Sequence, residues 1–515
     1  MAERPGRRVP GRSTTDYLGW NNAERCSLLD FDMTGFLFLV ASLLVDLTVS
    51  PSPPLLADAV ERQAWSEVDA LLAASADVNL AQIDGMTALH WAAWHNQPDM
   101  AVRLLQHSAN ANAVNRYGVS PLALACQNGN TELTELLLKS GADPNTAQNG
   151  GETALMTAAR TGQPGPVRLL IDHGASVNAK ERSQQTAIMW AAAAGHREVV
   201  EMLIDGEADY QTPLKSGFTP FFFAVREGQT AVVDLLLDRG IDINSVMEPE
   251  RRGGRNVRPG TSALLLAVEN GHFELAVHLL ERGADPNDQR SGFTPLHVLT
   301  WVRRPNYGDG LDGDPPPLGS GHVTSLQMVR ALTDQGADVN ARLKSGSSGR
   351  GKINHRGATP FLFAADTADV PLMKLLLELG ADPMIPNVDH CPPLLAAAGL
   401  GTLAPGEEAG TEEEAMAAVK LLLELGADIN VVDDNGETVM HGAAYKNLPQ
   451  MVRLLSSCGA DITIWNRENK YGWTPLRIAE GYRPGNFKPA AATIAAIQEV
   501  MRAARVEPPD RTISP

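Results

Sequence analysis

The feature that most constrains this chain is a recurrence. A small apolar residue followed by a polar one returns at Ala76-Asp77, Ala109-Asn110, Ala142-Asp143, Ala175-Ser176, Ala208-Asp209, Ile241-Asp242, Ala284-Asp285, Ala337-Asp338, Ala381-Asp382, Ala427-Asp428 and Ala460-Asp461. The spacing is 33 residues five times, then 43, 53, 44, 46 and 33. A unit of that size cannot enclose a core alone and must bury apolar surface against its neighbours. The period therefore displaces the three or four compact domains that 515 residues would otherwise suggest.

A second marker keeps step with the first. Helix starts read Thr87-Ala88-Leu89-His90, Ser120-Pro121-Leu122, Thr153-Ala154-Leu155, Thr186-Ala187-Ile188, Thr219-Pro220-Phe221, Ser262-Ala263-Leu264, Thr294-Pro295-Leu296-His297, Thr359-Pro360-Phe361, Thr438-Val439-Met440-His441 and Thr474-Pro475-Leu476. A Ser or Thr side chain caps the first N–H groups of a helix. A Pro beside it sits where its missing N–H costs nothing. Pro392-Pro393-Leu394 departs from the pattern, having no hydroxyl. Each first helix is short and Ala-rich, as at Ala158-Ala159 and Ala191-Ala192, and is expected to stop at a glycine such as Gly129, Gly162, Gly195, Gly228 or Gly271. Each second helix carries a Val/Leu stripe, as at Val199, Val200 and Leu203, and is expected to stop at Gly141, Gly174, Gly206, Gly240, Gly283, Gly336, Gly380, Gly426 or Gly459. Isolated helices shorter than about 12–15 residues are marginal in water, so stacking has to supply the stability.

Period, caps and helix stops together resemble the ankyrin-repeat family over roughly residues 55–505. The stretch from Gly357 onward, with Asp434-Asn435-Gly436-Glu437-Thr438 and Gly485-Asn486-Phe487-Lys488, is similar to long bacterial ankyrin arrays. The resemblance implies an all-α solenoid of about 11–12 helix-turn-helix repeats with long insertions between and within repeats. Residues 55–82 would form an N-terminal capping repeat, with Glu61, Arg62 and Glu67 facing out, and residues 474–505 the C-terminal one. Residues 1–54 would be a low-order segment and 506–515 a disordered tail.

Composition narrows the function. With 43% hydrophobic and 20% charged residues the chain is not of the disordered class. A net charge of −18 argues against nucleic acid as a partner. Cys26, Cys126, Cys391 and Cys458 form no close pair, which disfavours a disulfide framework or a structural zinc site. The apolar run from Thr34 to Val45 is too short for a bilayer, which needs about 20 residues, yet suits the core of a signal peptide. Export, or anchoring through 34–45, is therefore slightly favoured over residence in the cytoplasm.

No catalytic motif survives inspection. Gly346 to Ile353 imitates a phosphate loop, but Ile353 stands where Ser or Thr would hold magnesium. Asp309, Asp312 and Asp314 lack calcium-loop spacing. His90, His297 and His441 share one repeat position, which marks packing and hydrogen bonding rather than catalysis. The expectation is a non-enzymatic, monomeric scaffold with no cofactor, no metal and no small-molecule substrate. Two alternatives are an exported or membrane-tethered effector and an accessory subunit of an enzyme.

The insertions divide by charge. Residues 245–259, with Arg251, Arg252, Arg255 and Arg258, and residues 341–356, with Arg342, Lys344, Arg350, Lys352 and Arg356, lengthen the turn between repeats, the finger. Residues 303–322 and 401–414 lengthen the turn inside a repeat and carry Asp309, Asp312, Asp314, Glu407, Glu408, Glu412, Glu413 and Glu414. The expectation is a basic finger edge able to hold an acidic partner segment, opposite an acidic edge.

In ankyrin proteins the concave face, made of fingers and first-helix ends, does the binding. That resemblance places Met86, Phe218, Phe293 and Trp473 just before the cap. It places Trp94, His95, Arg160, Arg226, Trp301, Tyr445 and Lys446 at the helix end, and Arg116 and Tyr117 on a finger. Aromatic and arginine side chains dominate interface energies, so this set is expected to contact a protein partner. Phe221 and Phe223 are expected in the core.

Overall fold

The computed structural model describes residues 56–251, 257–305, 317, 319–347, 349, 352–483, 485 and 487–507. The apolar run 34–45, Arg252, Arg255, Arg350, the acidic residues 309–314 and the tail from 508 lie outside the described residues. Two compact units meet in the sequence at Asp242 and Ile243.

The first unit is a run of six helix pairs. They are Leu56–Glu61 with Trp65–Ala73, Ala88–Trp94 with Pro98–Gln106, Pro121–Gln127 with Thr131–Lys139, Ala154–Thr161 with Pro164–Asp172, Ala187–Ala194 with Arg197–Asp205, and Pro220–Arg226 with Thr230–Asp238. The first member of each pair is the inner helix and the second the outer. Their sequences explain the packing. Leu89, Leu122, Leu155, Ile188 and Phe221 recur every 33 residues on the inner helices and are buried. Leu104, Leu137, Leu170, Leu203 and Leu236 do the same on the outer helices, each with no exposed surface. Within the unit these leucines seal the seams between repeats, where truncation to Ala costs about 2–5 kcal/mol.

The second unit opens with a two-stranded antiparallel ribbon, Val246–Met247 against Thr261–Ser262. Six more pairs follow, from Ala263–Glu269 with Phe273–Glu281 to Pro475–Ala479 with Ala491–Ala503. The hydroxyl caps act as the sequence implies: Ser120, Thr153, Thr219, Ser262, Thr359 and Thr474 each accept from the backbone N–H three residues on. Pro392 leaves its helix uncapped, and Pro393–Ala397 runs only five residues. One expected stop shifts. Gly206 has a right-handed φ and the next residue, Glu207, takes φ 66° instead.

An asparagine ladder ties the repeats edge to edge. In the first unit Asn112 donates to the Gly141 carbonyl at 2.7 Å and accepts from the Asp143 N–H at 2.7 Å. Asn79, Asn145 and Asn178 repeat the bridge there, and Asn287, Asn340 and Asn430 repeat it in the second unit. One short amide thus satisfies a helix-end carbonyl and a loop N–H of the following repeat. Gln211 and Met384 stand at the same position without it.

The recurrent histidines are structural. His90 Nδ1 accepts from the Thr87 N–H, and Nε2 donates to the Val119 carbonyl at 3.0 Å, one repeat on. His297 and His441 reach Ala358 and Trp473 in the same way, each at 3.2 Å. Burial holds His297 down at about 3 and His441 at about 4, so both rings are neutral crosslinks.

The insertions do not form two simple charged edges. Glu412, Glu413 and Glu414 are the first turn of the helix Glu412–Glu424, where the dipole favours negative charge. Glu414 also closes the capping box with Thr411 and pairs with Arg304 at 2.7 Å. Glu408 turns inward to accept the N–H groups of Leu403 and Ala404. These contacts take Glu408 and Glu414 out of the acidic edge expected at 401–414, while Glu407 and Glu413 stay exposed.

Candidate functional site

The site is built from fingers and inner-helix ends. A finger is a tight turn whose third residue needs positive φ, as at Gly85 and Gly118. Neighbouring fingers join through single backbone bonds: Arg116 N–H to Asp84 O at 2.9 Å, Asn149 N–H to Tyr117 O at 3.0 Å and Arg182 N–H to Gly150 O at 2.8 Å. A Cβ on Gly85 would lie 2.9 Å from the Asn115 Cα and one on Gly118 equally close to the Gln148 Cα, so glycine lets the fingers close up. Side chains at equivalent positions thereby fall into rows.

In the first unit the rows carry most of the sequence-derived candidates. Trp94 is 37% exposed and Tyr117 is 54% exposed, with the Arg116 guanidinium 4.8 Å over the Tyr117 ring. His95 is half-buried, with Nε2 donating to the Glu61 carbonyl at 2.9 Å and its ring stacked on Trp91. Arg160 lies 5.4 Å over Trp190. Arg226 sits over Phe218 and Phe223 and pairs with Glu227 at 2.8 Å. Two expectations are corrected. Met86 is only 7% exposed and Phe218 only 5%: Asn115 of the next finger reaches over the Met86 sulfur, and Phe223 and Arg226 of the following inner helix pack against Phe218.

In the second unit Phe293 and Trp301 meet edge to face at 5.0 Å, and Phe363 and His355 complete an aromatic cluster. The Arg258 guanidinium fills the mouth of that cluster, 5.2 Å from Phe293 and 5.8 Å from Trp301, and pairs with Glu269. Arg258 is thus a packed strut and not a free finger cation, and burial brings it down to about 10. Arg342 is exposed, yet its guanidinium donates to the Gly357 and Pro386 carbonyls. Arg251, Lys344 and Lys352 are exposed. Trp473 is half-buried against Tyr471.

Tyr445 and Lys446 are corrections too. Tyr445 has no exposed surface, and its hydroxyl donates to Glu437 at 3.1 Å. Lys446 is buried with Nζ donating to the Ala409 carbonyl at 2.6 Å. The loop after Pro393–Ala397 covers both, approaching so closely that a Cβ on Gly442 would meet the Leu400 nitrogen at 2.9 Å. Glu437, the partner of Tyr445, also lines an acidic recess that sequence reading missed, together with Asp389, Asp433, Asn435 and Lys352 among others. Burial, with the Asp433 charge, pushes Glu437 up to about 8. Burial, with the Glu408 charge, pushes Asp366 up to about 7. Glu437 is held inward by hydrogen bonds from Tyr445 and Asn469, partners that lie 8 and 32 residues away and leave no local signal.

Among the described residues no cluster of His, Cys, Asp or Glu is arranged to hold a metal ion, and no helix is long and apolar enough to cross a membrane. Paired short helices, shared cores and a row of joined fingers define a repeat solenoid. The chain belongs to the ankyrin-repeat family. The family profile for ankyrin repeats in three copies matches residues 56–148, 103–181, 146–213, 180–247 and 409–487, and the single ankyrin repeat matches 260–290. The chain is similar to the E3 ubiquitin-protein ligase KEG of Arabidopsis thaliana, 27% identical over 233 residues, 41% of this chain and 14% of that protein. It is 33% identical over 141 residues to the B-cell lymphoma 3 protein homolog of Mus musculus, 27% of this chain and 24% of the relative. It is also 26% identical over 244 residues to the SH3 and multiple ankyrin repeat domains protein 2 of Homo sapiens, 43% of this chain and 11% of that one. The chain thus spans less than a quarter of each relative's length. Ankyrin repeats are protein–protein interaction modules, and the interaction class follows from the family.

Proposed function

We propose that this protein is a non-enzymatic scaffold that grips a partner protein with its finger tips and inner-helix ends. The observation that carries the reading is the exposure of Trp94, Arg116 and Tyr117 at register positions that need no bulk for packing. Elsewhere in the same repeats the framework is small and closed, as at Ala92, Ala93 and Ala125, all without exposed surface. Large aromatic and arginine side chains left on such a surface are the groups from which interface hot spots are made. The same framework carries unrelated partners in different proteins, so the identity of the partner resides in these variable positions.

Site-specific photo-crosslinking tests the reading. A crosslinker at Trp94 or Tyr117 of the full chain captures a partner protein from a cell extract, whereas one at Glu135 on an outer helix does not. Equal capture at all three positions, or capture at Glu135 alone, contradicts it.

A further inference from the structure

Two rows of side chains run along the first unit at 33-residue spacing. The finger row is Ile83, Arg116, Asn149, Arg182 and Lys215, and the inner-helix row is Trp94, Gln127, Arg160, Ala193 and Arg226. Neither contains an acid across five consecutive repeats, in a chain with 61 acidic and 43 basic residues. Each opens on a bulky apolar residue, the fully exposed Ile83 and the exposed Trp94; the finger row then carries cations at Arg116, Arg182 and Lys215, and the inner-helix row at Arg160 and Arg226.

Two neighbouring acids are turned into their own fingers. Asp84 accepts the Met86 N–H, and the Glu181 carboxylate accepts the N–H groups of Ser183 and Gln185 inside its own turn. Glu227 is held by Arg226. The outer helices of the same unit carry the opposite sign, with Glu132, Glu135, Glu198 and Glu201. Residues 56–242 hold 22 acids and 12 bases, a net charge of −10, so the cations of the two rows run against the average of their own unit.

We infer that this face receives an extended acidic segment of a partner protein, with bulky apolar side chains at the end over Ile83, Trp94 and Tyr117 and carboxylates at the end over Arg160 and Arg182. This rests on the binding-scaffold reading above and adds the chemistry of the ligand. Successive repeats stack about 10 Å apart, so the span from Ile83 to Arg182 is about 30 Å. At about 3.3 Å per residue an extended segment of roughly nine residues covers it. The cations steer the encounter and fix the direction of the segment, while the aromatic end supplies the buried area that holds it.

A displayed library of random 12-residue peptides, panned on the full chain, tests the inference. The expected winners carry Trp, Phe or Leu in one half and two or more Asp or Glu in the other. Their affinity falls about tenfold or more in Trp94→Ala and in the double variant Arg160→Gln with Arg182→Gln. It also falls with rising salt in the wild type but little in the double variant. Circular dichroism of each variant separates lost binding from lost fold, and Arg160→Lys with Arg182→Lys retains most of the affinity. Neutral or basic winners that Trp94→Ala still abolishes overturn the chemistry while leaving the scaffold reading standing. Winners insensitive to every one of these substitutions overturn both, and a library with no winner overturns the inference.

Discussion

At the scale of the residue, the account rests on a few side chains that join one repeat to the next. Asn112 satisfies two backbone groups of the following repeat with one amide, and Leu170 closes a seam between repeats. Asn112→Ala strands those groups in a partly exposed setting and is expected to cost about 1–2 kcal/mol in denaturant melts. Leu170→Ala leaves a cavity and is expected to cost about 2–5 kcal/mol. A smaller effect for Leu170→Ala than for Asn112→Ala would mean that the ladder and not the apolar seam dominates. The reverse substitution is informative as well. Met384→Asn restores the missing rung in the second unit and is expected to stabilise it by about 1 kcal/mol at most, seen as a higher melting temperature. The caps, the histidine crosslinks and the leucine column were legible in the sequence because each is local or recurs at a fixed spacing. Arg258 was not, because its partners Phe293, Trp301 and Glu269 lie on other elements and a run of arginines looks like a solvated loop until those partners are placed.

At the scale of the element, register told where a side chain stands but not whether a neighbour covers it. Met86, Phe218 and Tyr445 occupy positions that the family pattern marks as variable, and each is buried. Asn115 of the adjoining finger covers Met86, the side chains of Phe223 and Arg226 cover Phe218, and a long loop covers Tyr445; no periodicity encodes such covers. The acidic stretch Glu412–Glu414 misled for a different reason: a carboxylate run begins a helix as readily as it fills a loop. The same loop packing makes the second unit sensitive to pH. Glu437 and Asp366 are raised in the fold to about 8 and about 7 from ordinary values of 4.5 and 3.8. The folded state holds these protons more tightly than the unfolded one, so the stability they contribute is full below about pH 4 and is lost as pH rises through 7 and 8. Glu437→Gln is expected to melt closer to the wild type at pH 5 and clearly higher at pH 9. Each tenfold change in proton affinity is worth about 1.4 kcal/mol, which puts the pH 9 difference on the order of a few kcal/mol. A variant that melts below the wild type at pH 9 would show that the carboxylate is held charged.

At the scale of the whole molecule, charge and repetition set the behaviour. The net charge is −18, while the finger and inner-helix rows of the first unit run against that average. Such a contrast is invisible to composition and emerges only when residues 33 apart are read side by side. The repeat count was also legible: twelve helix pairs stand among the described residues. Among the described residues no helix of the first unit exceeds nine residues, so none of these is long enough to persist alone in water, and their order comes from the shared seams. Circular dichroism of residues 154–186, one isolated repeat, beside the full chain tests that dependence most directly. The account predicts a coil spectrum with no cooperative melt for the isolated repeat and a helical, cooperative melt for the full chain. A single repeat that is helical and melts cooperatively would contradict it.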